Sequence, residues 1–236
     1  MRIFKHSGKL GDLVYSLPTV RELGGGVLVL NPNRVFDFSL NAATSLLPLL
    51  KEQPYIEDAR LWHGETVAID LDGFRNCLGP YNLAMSHLIW CGLNVDAMLA
   101  PWLSVEPHPH RRPVFSRSLI RHGVSELWPL CRHLLPNAVF VGTKEEHAGF
   151  EQEFGEIEWH ETQDLLQLTK FVAGGSVFVG NQSCLYAIAE GLKMRSVLEV
   201  DLYSPNCNFG RSDGIQITHP QDLLPLASVL RQWGIG

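Results

Sequence analysis

Asp12 is the side chain around which the chemistry of this 236-residue chain can be organised. It follows Gly11 at the end of Ser7-Gly8-Lys9-Leu10-Gly11, a glycine-bearing loop between a short apolar run and an amphipathic segment. A strand, a glycine-rich turn and a helix start, in that order, form the place where open α/β sheets meet their ligands. The pattern puts Asp12 at the N-cap of a helix over residues 13–23. A carboxylate there either caps backbone N–H groups or accepts a proton from a substrate hydroxyl.

A second constellation lies in the other half. A buried strand expected at Ser176-Val-Phe-Val179 leads into Gly180-Asn181-Gln182-Ser183, where a helix start offers free N–H groups and a favourable dipole to an anion. Arg117 and Arg121 follow a strand at 114–116, and Gly142-Thr143-Lys144 follows a strand at 138–141. Side chains beyond strand C-termini face the ligand crevice of a parallel sheet, and a guanidinium can grip a phosphate with two N–H groups. Glu199, inside a strand at 196–200, could accept hydrogen bonds from ribose hydroxyls. Helix capping and solvated surface charge stand beside these readings.

Other chemistries find no support. The ten histidines show no H-x-x-x-H or H-E-x-x-H arrangement, so no metal site is expected. Ser7-Gly8-Lys9 lacks the spacing of a phosphate-binding P-loop, and no G-x-S-x-G elbow is present. Five widely spaced cysteines without a C-x-x-C pair read as reduced thiols. A formal net charge of −6 argues against a basic nucleic-acid groove. Lys5, His6, Lys9 and Asp12 interrupt any leader-like apolar run, which gives the expectation of a cytoplasmic protein that meets membranes only at their surface.

These residues need elements to position them. With 45% hydrophobic residues the chain can bury a sizeable core, and strand-like and helix-like segments alternate along it. Strands are expected at 2–5, 26–30, 65–70 and 103–105, with helices at 13–23, 41–53 and 82–93. The tract Glu106-Pro-His-Pro-His-Arg-Arg-Pro113 reads as a linker. Strands at 114–116, 138–141, 176–179 and 196–200 follow, with helices at 126–135, 143–154, 162–173, 187–192 and 221–233. The expected fold class is α/β, two Rossmann-like domains over residues 1–106 and 107–236, facing each other across a cleft.

Leu10-Gly-Asp-Leu-Val14 followed by Pro18 resembles the N-terminal signature of glycosyltransferase family 9, the ADP-heptose:lipopolysaccharide heptosyltransferases and their relatives. Residues 177–191 resemble that family's strand-loop-helix segment near the nucleotide-sugar site. The resemblance implies a GT-B fold with an N-terminal acceptor side and a C-terminal donor side. It implies inverting, metal-independent transfer of a sugar from a nucleotide-diphosphate sugar, possibly ADP-linked, to a small-molecule or glycan acceptor, with Asp12 as general base and no cofactor. The family's aspartate-serine/threonine-glycine triplet is replaced here by Asn181-Gln182-Ser183, and its following histidine is matched only approximately by Tyr186. That departure keeps open the alternative of a non-catalytic nucleotide or nucleotide-sugar binding protein on the same fold.

Overall fold

The computed structural model describes residues 1–235 and folds them into two parallel sheets. The first half comprises β1 (Ile3–His6), α1 (Leu10–Glu22), β2 (Gly26–Leu30), α2 (Leu40–Lys51), β3 (Ile56–Leu61), β4 (Ile69–Asp70) and α3 (Leu83–Trp90). Its strand order is β3-β2-β1-β4. β2, Gly-Val-Leu-Val-Leu, is buried at every position, as a strand covered by helices on both faces must be.

The second half comprises β5 (Val114–Ser116), α4 (Leu127–Leu130), β6 (Val139–Phe140), α5 (Lys144–Phe154), β7 (Glu158–Trp159), α6 (Leu165–Ala173), β8 (Phe178–Asn181), α7 (Cys184–Gly191), β9 (Ser196–Glu199), β10 (Gly214–Ile217) and α8 (Leu226–Gln232). The order here is β10-β9-β8-β5-β6-β7, again all parallel. Because both sheets are parallel, every helix that follows a strand begins at the strand's C-terminal edge.

The halves share an apolar core, and the second half has a further one of its own around Trp128 and Phe150. A single buried cluster includes Phe4, Leu13 and Leu46 from the first half and Val114, Phe178 and Tyr186 from the second. α1 lies against α7, and α2 against α6. Tyr15 stacks on Phe209 at 5.5 Å between ring centres, and Trp102 sits 5.9 Å from the same ring.

Several expected boundaries move. Residues 103–105 pair with no strand. Instead the N–H groups of Trp102 and Leu103 both donate to Gly191 O, at 3.0 and 3.1 Å, and this apolar stretch seals the contact between the halves. β3, β7 and β10 lie at sheet edges, where polar residues are tolerated, so Glu57, Asp58 and Arg60 hid the first of them. The helix expected at 126–135 divides into α4 and a 3₁₀ turn, Arg132–Asn137, and the one at 221–233 divides at Pro225. The proline tract crosses between the halves without a helix or strand, tied by His108 N to Lys170 O at 2.9 Å and Arg111 N to Gly174 O at 2.8 Å. A side chain at Gly174 would come 1.8 Å from His108 O, so only glycine admits this crossing.

Candidate active site

α1 begins at Leu10, three residues earlier than the apolar pattern suggests, and its N-cap is Lys9 with no side-chain cap bond. Asp12 therefore stands in the first turn of the helix and is not its N-cap. In that turn the dipole favours its negative form, and its carboxylate faces a cleft of about 960 Å³ that both halves line. This volume lies at the upper end of the roughly 300–1,000 Å³ of small-molecule sites.

Four helix N-termini open on the cleft: Lys9, Leu10 and Gly11 of α1, Thr143 and Lys144 of α5, Asp164 and Leu165 of α6, and Ser183 and Cys184 of α7. The starts of α1 and α7 come closest, since a side chain at Gly11 would lie 3.7 Å from Cys184 Cα. Such a convergence aims the partial positive charge of each helix start into the cleft, whose lining also carries the carboxylates of Asp12, Asp37, Glu145, Glu146, Glu161 and Asp164. Lys9, Arg121 and Lys144 add full charges there. None of the three forms an ion pair among the described residues, whereas Lys5, Arg112, Arg117, Lys193 and Arg211 are all engaged by carboxylates. The cleft cations are thus left available to a ligand.

Asp12 sits in an opposing set of fields. Burial raises its carboxyl above the usual aspartate range, against the downward pull of Arg75, Arg121 and Lys9, and Asp72 adds to the rise. Arg75 approaches closest, with Nη2 3.6 Å from Asp12 Oδ2. Arg75 is itself fixed by Asp72 Oδ1 at 2.9 Å and lies over the rings of Phe36 and Phe74, 4.0 and 4.5 Å from their centres. Behind this group His6 is fully buried, its Nδ1 accepting the Gly8 N–H at 2.9 Å, and burial with the charges of Arg75 and Lys5 pushes it down to about 3. The His6 ring is therefore a neutral acceptor that shapes the loop carrying Asp12.

Of the residues singled out in the sequence, Gly11, Asp12, Arg121, Gly142, Thr143, Lys144, Gln182 and Ser183 line the cleft. Arg117, Asn181 and Glu199 do not. Glu199 is fully buried and accepts from Arg117 Nε at 2.9 Å, Arg117 Nη2 at 3.2 Å, Trp128 Nε1 at 2.9 Å and Gly123 N at 2.9 Å. Arg117 also reaches Glu153 at 2.7 Å. The pair closes the inside of the second half, because a charge pointing from a strand into the core must find its partner there.

The side chains of Asn181, which ends β8, and of Gln182 and Ser183 after it are all engaged by hydrogen bonds within the protein. Asn181 is wholly buried and bonds residues 118–121. Gln182 donates to Ser204 O at 2.5 Å and accepts from Asp201 N at 2.6 Å, holding the loop that carries Cys207. Ser183 caps α7 through Tyr186 N at 3.5 Å. Thr143 and Glu146 form a capping box at the start of α5, so the contribution of Thr143 to the cleft is its helix start. Sequence reasoning passed over Lys9 and Arg75. The rule that strand C-termini face the crevice would have found Arg75, which follows β4 by five residues.

Among the described residues, no three His, Cys, Asp or Glu side chains are grouped as metal ligands, and no helix is long and apolar enough to cross a membrane.

Two parallel Rossmann-like sheets that share a cleft at their C-terminal edges define a GT-B-like protein. Over nearly its whole length the chain has the fold of the family 9 heptosyltransferases. The E. coli heptosyltransferase WaaC, solved with ADP-2-deoxy-2-fluoro heptose, superimposes with a TM-score of 0.60 at 12% identity, covering 99% of this chain and 98% of that one. A family 9 glycosyl transferase from Veillonella parvula DSM 2008 gives 0.63 at 10% identity over 98% and 88% of the two chains. E. coli ADP-heptose lps heptosyltransferase II gives 0.54 at 15% identity over 98% and 99%. At this identity the likeness establishes the fold. No family model and no curated protein matches the sequence.

Proposed function

We propose that the protein transfers a sugar from a nucleotide-diphosphate sugar to an acceptor hydroxyl with inversion. The observation that carries this reading is the meeting, in one cleft, of a carboxylate with raised basicity, four helix N-termini and three unpaired cations. The acceptor O–H attacks the anomeric carbon from the face opposite the diphosphate. Asp12 takes the hydroxyl proton as the new C–O bond forms and the bond to the diphosphate breaks. Charge developing on the leaving phosphate is met by Arg121, Lys144 and Lys9 and by the free N–H groups at the starts of α5 and α7.

An ADP-linked donor is favoured, because E. coli WaaC, which has this fold, was solved both with ADP and with an ADP sugar. The second half would carry the nucleotide and the first half the acceptor. The division between them is placed at residue 106 in this proposal.

A second reading, a nucleotide or nucleotide-sugar binder without turnover, draws on one observation: the amides of Asn181 and Gln182 serve neighbouring loops at the position of the family's acidic motif. Incubation with ADP-, UDP- and GDP-sugars, following release of the free diphosphate with and without added acceptors, separates the two. Transfer predicts release that depends on the acceptor, and the binder reading predicts affinity without release.

A further inference from the structure

Asn181 ends β8 inside the wall of the cleft, with none of its side chain exposed. Its Oδ1 accepts from Ser118 N at 2.9 Å and Ser118 Oγ at 3.2 Å, and its Nδ2 donates to Ile120 O at 2.7 Å with Ser118 O at 3.2 Å. One buried amide thereby fixes both donors and acceptors of residues 118–121. All four of those residues line the cleft.

The last of them, Arg121, has φ of 62°. A non-glycine residue keeps that left-handed conformation only where its surroundings impose it. The Arg121 guanidinium itself has no ion pair or hydrogen bond among the described residues, so its place in the cleft is set by its backbone. Its charge reaches both Asp12 and Cys207.

We propose that Asn181 is a positioning residue: its buried amide holds residues 118–121 in the path that presents Arg121 to the phosphates of the nucleotide. The inference rests on the reading that the cleft takes a nucleoside diphosphate. It explains why an amide stands at this position. A carboxylate would satisfy the Ser118 donors but would face the carbonyls of Ser118 and Ile120 with no hydrogen to give them. Asn181→Asp, nearly isosteric, therefore removes one half of the clamp.

Calorimetric titration of ADP into the full-length protein tests this. Arg121→Ala is expected to weaken ADP about tenfold or more, the loss of a charge-assisted bond to phosphate. Asn181→Ala and Asn181→Asp are expected to weaken it to a similar extent, and Asn181→Ala combined with Arg121→Ala should bind no worse than Arg121→Ala alone. General loosening of the fold would not produce that non-additivity. Where the Asn181 variants do not fold, Ser118→Ala, at a half-buried loop position, should give a smaller loss that likewise vanishes in the Arg121→Ala background.

Wild-type affinity in the folded Asn181 variants, or losses that multiply in the double variant, would overturn the assignment. So would a Ser118→Ala protein whose loss persists without Arg121. Wild-type protein that binds neither ADP, UDP nor GDP would remove the reading of the cleft itself. ADP binding weakened by Arg121→Ala and untouched by Asn181→Asp would remove only the role of Asn181.

Discussion

Arg75 Nη2 lies 3.6 Å from Asp12 Oδ2, too far for a hydrogen bond and close enough for a strong charge interaction. The guanidinium is immobilised by Asp72 and by the rings of Phe36 and Phe74. It thus holds down the basicity of a carboxylate that burial raises. The Asp12 carboxyl is thus lowered from behind by a residue of its own half, and from across the cleft by Arg121.

Replacing Arg75 by Met should therefore raise the Asp12 carboxyl further. A general base works in its deprotonated form, so the acidic limb of the pH–rate profile should move to higher pH, with turnover lost most at low pH. Profiles of diphosphate release for the wild type and Arg75→Met check this. An unmoved limb would separate Arg75 from the chemistry.

Arg117 and Glu199 should matter to stability and not to the ligand. Arg117→Met leaves a fully buried carboxylate with only Trp128 and Gly123 as donors. Breaking a buried pair in this way costs about 3–5 kcal/mol. Denaturant unfolding should show that loss, while the ADP affinity of the folded variant stays at the wild-type value.

Stability should fall in acid through His6 and His87. Both rings are fully buried and held below the usual histidine range, His6 to about 3, chiefly by burial. The unfolded chain binds protons to them below pH 6.5 while the folded chain does not, so their contribution is complete above 6.5 and is lost as pH falls. Each adds a slope of about 1.4 kcal/mol per pH unit in that window. His87 stacks on Phe74 at 4.0 Å, and among the described residues neither ring nitrogen has a partner in hydrogen-bond geometry. His87→Phe should accordingly fold at neutral pH and flatten the slope between pH 6 and 4 by that amount, measured by urea unfolding across the range.

The shared core predicts one unfolding transition for both halves. Trp102, 1% exposed between them, should lose about 3–5 kcal/mol on change to Ala. Calorimetry of the wild type should show a single endotherm, and two resolved endotherms would mean that the halves unfold independently.

The two parallel sheets were legible in the sequence because strands buried on both faces read as unbroken apolar runs, such as residues 26–30 and 177–179. Asp12, Lys144 and Arg121 were read as crevice residues by the same logic, since strand ends locate the crevice, and all three line the cleft. Edge strands escaped notice because exposure on one side allows Glu57, Asp58 and Arg60 into β3. The direction of a side chain at a strand end was equally hidden. Asn181, Arg117 and Glu199 sit at the expected positions along the chain and turn into the wall, which depends on partners 36 to 82 residues away. Arg75 was missed although it follows the expected 65–70 strand, because it lies five residues beyond the strand end, inside a 3₁₀ turn over Leu71–Cys77.

The role of Asp12 is the centre of this account, and Asp12→Asn tests it most directly. The asparagine keeps the size of the side chain and cannot take a proton. Diphosphate release from a sugar nucleotide that the wild type turns over should fall at least about 100-fold, with ADP affinity within about twofold of wild type. Undiminished turnover in a folded Asp12→Asn protein would contradict the assignment of the base.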